Sequence, residues 1–270
     1  MRTLQDKVAF ITGGARGQGR SHAVRLAELG ADIVVVDICA QIDSVPYPLA
    51  TRAELDETVS LVAGVGKKAV AVVADVRDYS AMVRAADTAL ESFGRLDIVV
   101  ANAGICPMSL HDHEDVWRDV IDVNLTGTRN TIGATAPALI NGGRGGSIVI
   151  TSSGLGLAGM GTDGVGALAY IASKHGDIGL MRSYASFLAK HSIRVNSVLP
   201  SGIGTPMVMN PAMTEFLGSL GDTVTRRNAL PVDMIEEIDI SNAIAWLVSD
   251  EGRYVTGAAI AVDAGWLNYG

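Results

Sequence analysis

The stretch from Val8 to Asp37 leaves few folds open. Val8-Ala9-Phe10-Ile11 is a short apolar run of the kind a strand buried on both faces shows, and it leads directly into Thr12-Gly13-Gly14-Ala15-Arg16-Gly17-Gln18-Gly19. Beyond that turn, Ala23, Leu26, Ala27 and Leu29 mark the apolar stripe of a helix and Gly30 stops it. Ile33-Val34-Val35-Val36 is then a second buried strand, closed by Asp37. The turn suits phosphate, because a pyrophosphate reaches the backbone N–H groups at a helix N-terminus only where no Cβ stands in the way. A glycine-rich turn by itself is common, and the carboxylate adds the specificity. Asp37 lies eighteen residues beyond Gly19, at the C-terminal end of the second strand, where an acid can accept hydrogen bonds from an adenosine ribose.

Further buried strands are predicted at 69–73, 97–100, 147–150, 194–198 and 259–262, which makes seven with the first two. Helical patterns lie between them at 52–62, 80–93, 115–139, 168–190 and 238–248, so the connections should be right-handed crossovers covering both faces. The expectation is one α/β domain over residues 1–270, a doubly wound parallel sheet in a three-layer α/β/α sandwich. Two intervals are long. Ile33 to Ala69 spans 36 residues against 25 from Val8 to Ile33, and the excess within 39–64 includes Val45-Pro46-Tyr47-Pro48. Two prolines so close forbid helix, which leaves an ordered loop beside the adenosine end or a neutral surface insertion. Residues 201–230 carry Met207, Met209, Met213, Phe216 and Leu217, suited to a substrate lid or to plain core.

Composition excludes several classes. With 48% hydrophobic and 19% charged residues the chain is expected to form a compact cytoplasmic enzyme, and a formal net charge of -8 without a basic cluster argues against nucleic acid. Cys39 and Cys106 are too few for a disulfide framework. Arg2, Asp6 and Lys7 enclose no apolar core of a secretory signal, and no apolar run nears the roughly 18 to 20 residues of a membrane span. The five histidines, His22, His111, His113, His175 and His191, show no ligand spacing, so no metal site is expected.

Tyr170 and Lys174 stand four apart on one helix face. A tyrosine with a pKa of about 10 is a poor base at neutral pH, and a neighbouring cation stabilises the phenolate. Such a phenol can take the proton of an alcohol as hydride leaves its carbon, or return it to a carbonyl. A surface pair would look the same in isolation, but the nucleotide-type turn upstream gives it a use.

With the spacing Thr-Gly-x-x-x-Gly-x-Gly and this Tyr-x-x-x-Lys, the chain resembles the short-chain dehydrogenase/reductase family, from about Lys7 to Trp266. The resemblance implies a Rossmann-type fold and a site of Asn124, Ser153, Tyr170 and Lys174. In that site Ser153 would polarise the substrate oxygen, with Ser152 as the alternative. Lys174 would lower the tyrosine pKa and bind ribose, and the Asn124 carbonyl would hold a relay water. Gly13, Arg16, Gly17, Gln18 and Gly19 would meet the pyrophosphate, Asp37 and Ile38 the adenosine ribose, and Asp75 and Val76 the adenine. Asn102-Ala103-Gly104 would lie beside the cofactor, and Pro200, Ile203 and Thr205 would face the nicotinamide. Ser153 to Tyr170 is 17 residues, about four more than the resemblance implies, with a glycine-rich bulge at 159–166. Arg16 would favour a 2′-phosphate and Asp37 would repel it. Since 38–50 holds no Lys or Arg, NAD is expected over NADP.

Residues 17–26, 36–39 and the insertion resemble a narrower branch, the mycofactocin-associated, carveol-dehydrogenase-like enzymes. That branch implies an NAD held under the insertion and recycled in place by an external redox carrier. The implied activity is oxidation of a hydrophobic secondary alcohol, or reduction of its ketone, by a homotetramer. One rival is a nucleotide-sugar epimerase or dehydratase, which would need a larger C-terminal domain than the residues after Pro200 supply. Another is a non-catalytic NAD-sensing protein, which need not keep all four acid/base residues.

Overall fold

The computed structural model describes residues 4–221 and 228–268, so Arg2 and the 222–227 part of the expected lid lie outside the described residues. Seven strands form one sheet in the order β3-β2-β1-β4-β5-β6-β7. They are β1 (Val8–Thr12), β2 (Asp32–Asp37), β3 (Ala69–Val73), β4 (Ile98–Ala101), β5 (Gly146–Thr151), β6 (Ile193–Pro200) and β7 (Ala259–Val262). Every pairing is parallel. The order reverses between β1 and β4, where a crevice opens beyond the C-terminal strand ends.

Alternation along the strands explains the three layers. In β1 and β2, Phe10, Val34 and Val36 point into one apolar cluster while Ala9, Ile11, Ile33 and Val35 point into another on the opposite face. The second cluster is covered by α1 (Gly17–Glu28), α2 (Arg52–Gly64) and α8 (Glu237–Val248) through Leu26, Leu55 and Ile244. The first is covered by α3 (Tyr79–Phe93), α4 (Val116–Val120), α5 (Gly127–Gly142) and α6 (Val165–Leu188) through Met82, Val120, Ile132 and Met181. A shorter helix, α7 (Pro211–Ser219), starts at Asn210, whose side chain accepts the Met213 N–H at 3.0 Å.

Two expectations change. The strand at 69–73 is only half-buried because β3 is the sheet edge, and Val73 is 49% exposed. The helix expected across 115–139 is one rod with a π-helical segment at Ile121–Thr126 joining α4 to α5. Gly127 sits at that junction because a Cβ there would stand 2.5 Å from Val76 Cγ2. In the 39–64 interval only the first part is irregular, since Thr51 and Glu54 form a reciprocal cap that starts α2.

Candidate active site

The crevice between β1 and β4 begins at the glycine turn. Gly13 and Gly17 hold positive φ angles of 67° and 53°, a region side chains avoid. A Cβ on Gly19 would lie 2.0 Å from the Gly13 carbonyl oxygen, and one on Gly13 would lie 2.9 Å from Ala103 Cα. The turn is therefore pressed against the segment after β4. Thr12 Oγ1 accepts the N–H groups of Asn102 and Ala103, both at 3.1 Å, while Asn102 Nδ2 donates to the Thr12 carbonyl at 3.0 Å. This cradle, which any added Cβ would fill, fits a dinucleotide phosphate.

Of the expected cofactor contacts, Gly13, Arg16, Gly17, Gln18, Gly19, Asp37, Ile38, Asp75, Val76, Asn102, Ala103, Gly104 and Thr205 all line the cleft. Pro200, Ile203, Tyr170 and Lys174 do not. Pro200 is paired with Val262 in the sheet, and Ile203 is buried in the core layer and bridges to Ile235. Asp37 Oδ2 accepts the Ala15 N–H at 3.1 Å and Oδ1 that of Cys39 at 3.3 Å, which aims the carboxylate from the end of β2 into the cleft. Burial pushes its pKa up, against those N–H donors and the Arg16 guanidinium, which pull it down. Arg16 is also engaged by the protein itself. It donates to the Pro48 carbonyl and lies 3.6 Å from the Glu54 carboxylate, so its charge is spent on the insertion and α2. Asp75 is likewise paired with Arg77, at 2.7 Å.

The insertion reaches further than its sequence position implies. Ile42, Tyr47, Leu49 and Ala50 line the cleft, Ser44 Oγ donates to Asp119 Oδ2 at 2.7 Å, and the Tyr47 hydroxyl accepts the Cys106 N–H at 2.9 Å. The loop therefore runs from the adenosine end to the segment behind β4. Pro46-Tyr47-Pro48 signalled an ordered loop, but nothing local announced the partner of the tyrosine.

Just past the Gly104 end, the expected acid/base residues converge from three elements. Asn124, in the π-helical segment, is fully buried; its Oδ1 accepts the Ile105 N–H at 2.8 Å and its Nδ2 donates to the Ile105 carbonyl at 2.9 Å and to Ser173 Oγ at 3.2 Å. Ser153, after β5, lies beside the Tyr170 phenol, whose pKa it pulls down, and its Oγ accepts the Leu155 N–H at 3.2 Å. Ser152 instead donates to the Lys174 carbonyl at 2.9 Å, a structural use that leaves Ser153 as the serine facing tyrosine. Lys174 Nζ donates to the Thr151 carbonyl at 2.8 Å and to Asp177 Oδ2 at 3.2 Å, and it stands 5.8 Å from the Tyr170 ring centre.

The phenol of Tyr170 is pushed up, first by burial and then by Cys106, Tyr47 and Asp177, with Ser153 pulling it down. The Lys174 ammonium on the same helix face is held by Asp177 and the Thr151 carbonyl. Asp177 was invisible to sequence reasoning, since a carboxylate inside a helix normally faces water.

Against the tyrosine packs an apolar cluster. Cys106, Met108, Ala167, Met213 and Phe216 form a buried cluster against which Tyr170, Met207 and Leu217 pack. Burial also raises the Cys106 thiol to about 12, so it behaves as a small apolar side chain. The glycine-rich bulge meets this cluster where a Cβ on Gly164 would lie 3.0 Å from the Phe216 ring, and Asp112 Oδ2 fastens the start of α6 by accepting the Val165 N–H at 2.7 Å. Among the described residues no group of three His, Cys, Asp or Glu could hold a metal ion, and no helix is long and apolar enough to cross a membrane.

Comparison with known proteins agrees with this geometry. The chain is 46% identical over 277 residues to (-)-trans-carveol dehydrogenase of Rhodococcus erythropolis, covering 98% of this chain and 99% of that one. It is 54% identical over 269 residues to an uncharacterized oxidoreductase of Mycobacterium tuberculosis, covering 99% and 98%. Its fold superimposes on the crystal structure of carveol dehydrogenase from Mycobacterium avium in complex with NAD with a TM-score of 0.92, at 46% identity and coverage of 99% and 100%. A short chain dehydrogenase from Mycobacterium paratuberculosis bound to NAD also gives a TM-score of 0.92, at 44% identity, with coverage of 99% and 100%. The family described as short chain dehydrogenase matches residues 7–215, and this oxidoreductase belongs to it.

Proposed function

We propose that this chain is an NAD-dependent oxidoreductase that interconverts a hydrophobic secondary alcohol and its ketone. The observation that carries the reading is the gathering of Tyr170 and Lys174, 5.8 Å from ring centre to ammonium, with Ser153 next to the phenol, just past Gly104 and beside a cleft that Asp37 lines. When bound, the nicotinamide would accept the hydride from the alcohol carbon or give it to the ketone. Tyr170 takes the hydroxyl proton or returns it, and the Ser153 hydroxyl steadies charge developing on the substrate oxygen. Lys174 binds ribose and answers to the tyrosine, and the Asn124 carbonyl anchors the path to solvent. Asp37 accepts ribose hydroxyls and rejects a 2′-phosphate by like-charge repulsion.

The Met- and Phe-rich apolar cluster packed on Tyr170 favours an apolar, terpenoid- or steroid-like substrate, and likeness to proteins named carveol dehydrogenase points the same way. The insertion strapped over the cleft supports a nucleotide that stays bound and is recycled in place by an external carrier of the mycofactocin type. Exposed Val165, Leu168 and Phe187 on α6 and Trp117 on α4 support pairing of these helices in a homotetramer. We read the protein as cytoplasmic. The test is mass spectrometry of nucleotide released on denaturing the purified protein, followed by a panel of secondary alcohols with an artificial electron acceptor. NAD released, and turnover of apolar alcohols, is the expected result. NADP, or turnover of nucleotide sugars, would overturn it.

A further inference from the structure

Asp177 follows Lys174 by three residues in α6 and is fully shielded from solvent, with Oδ2 3.2 Å from Lys174 Nζ. The reaction read above makes no use of it. An ionised carboxylate is costly to bury and is retained where a cation compensates it, and here the cation is the one beside the acid/base tyrosine. Spacings of four and three put Tyr170, Lys174 and Asp177 on a single helix face with the lysine between the other two. The lysine is further held by the Thr151 carbonyl at 2.8 Å. The second carboxylate oxygen, Oδ1, makes no hydrogen bond among the described residues. Its neighbour Thr128 gives its hydroxyl hydrogen to the Asn124 carbonyl, at 2.6 Å. Carboxylate, ammonium, phenol and helix carbonyl are thus one buried assembly.

We propose that Asp177 is a positioning residue for the acid/base centre: its carboxylate draws the Lys174 ammonium toward the far side of the helix turn and offsets its charge, so that Tyr170 faces a compensated pair and not a bare cation. The proposal rests on the reading of Tyr170 as the acid/base group. The other titratable groups facing the pair are Cys106, behind β4, and Tyr47, from the insertion. Burial pushes both of them up, and both act on the phenol in the same direction as Asp177. Asp177 is itself among the groups that push the Tyr170 phenol up.

The test titrates the phenol and needs no substrate. Tyrosinate absorbance is followed against pH for NAD-saturated protein, and Tyr170 is isolated by subtracting the same titration of Tyr170→Phe. The pair of titrations is then repeated in an Asp177→Asn background. The expected result is a Tyr170 midpoint about one pH unit lower in Asp177→Asn, as for removal of a nearby like charge, with Asp177→Glu staying close to wild type. An unchanged or raised midpoint in Asp177→Asn overturns the proposal. Asp177→Val serves if Asp177→Asn does not fold, by the same criterion, and failure of both neutral variants to fold would make Asp177 a plain stability residue and also overturn it. A chain that oxidises no alcohol would sink the proposed function and leave this titration able to decide.

Discussion

The Tyr47 hydroxyl accepts the backbone N–H of Cys106 at 2.9 Å, a bond across 59 residues that ties the insertion after β2 to the segment behind β4. Arg16 fastens the same loop at the Pro48 carbonyl, and Ser44 fastens it to Asp119 at 2.7 Å. The loop lines the cleft through Ile42, Tyr47, Leu49 and Ala50, and it is proposed to hold the nucleotide there. Tyr47→Phe would orphan a buried N–H, at a cost of about 1–3 kcal/mol, with little change in shape. The expected outcome is release of bound NAD about tenfold faster, measured by chasing it with isotopically labelled NAD. An unchanged release rate would deny the strap its role.

Asp37 is proposed to choose between nucleotides by charge. Asp37→Asn keeps most of the side-chain geometry that receives the Ala15 and Cys39 N–H groups but removes the repulsion of a 2′-phosphate. Discrimination against NADP should fall at least about tenfold, about 1.4 kcal/mol, in paired Kd measurements for NAD and NADP. Asp37→Ala should move the preference the same way with a further loss of stability.

Tyr170→Phe removes only the phenol oxygen that Ser153 meets. Turnover should fall by about 10²- to 10⁴-fold, the usual contribution of a positioned acid/base group, while NAD binds as tightly as before. Wild-type turnover in a variant that binds NAD normally would remove the mechanism.

Gly19 has no room for a methyl group, since its Cβ would sit 2.0 Å from the Gly13 carbonyl oxygen. Gly19→Ala must therefore move the turn or break its contact with Asn102. Loss of nucleotide binding is expected, with a lowered Tm, by calorimetry with and without NAD. An NAD-induced rise in Tm equal to that of wild type would contradict it.

His22 gives stability a pH dependence. The ring is fully buried against Ser241 Oγ at 2.8 Å, and burial lowers its pKa from 6.5 to about 3. Between those values the unfolded chain binds a proton that the folded chain refuses, so stability is full above the unfolded pKa and falls as pH drops from 6.5 toward 3. In chemical denaturation, wild type should lose about 1.4 kcal/mol per pH unit more than His22→Gln between pH 6 and pH 5. Parallel losses would place the proton elsewhere.

Much of this molecule is written in local pattern. The apolar runs of β1 and β2, the glycines between them and Asp37 specify a parallel unit with a phosphate-type turn, because backbone conformation and burial on both faces constrain residue type directly. Tyr170 and Lys174 declare their shared face through helical spacing alone. What the chain could not declare were relations between distant segments. The engagement of Arg16 by Pro48, the reach of Tyr47 to Cys106 and the choice of Ser153 over Ser152 depend on how loops cross after packing. The same holds for Lys174, whose ammonium is compensated by Asp177 only once α6 is buried against the sheet and water is gone. Local pattern determined which groups are present and the fold that carries them. Tertiary structure decided which charges face one another in a medium too dry to screen them, and therefore how the phenol is tuned.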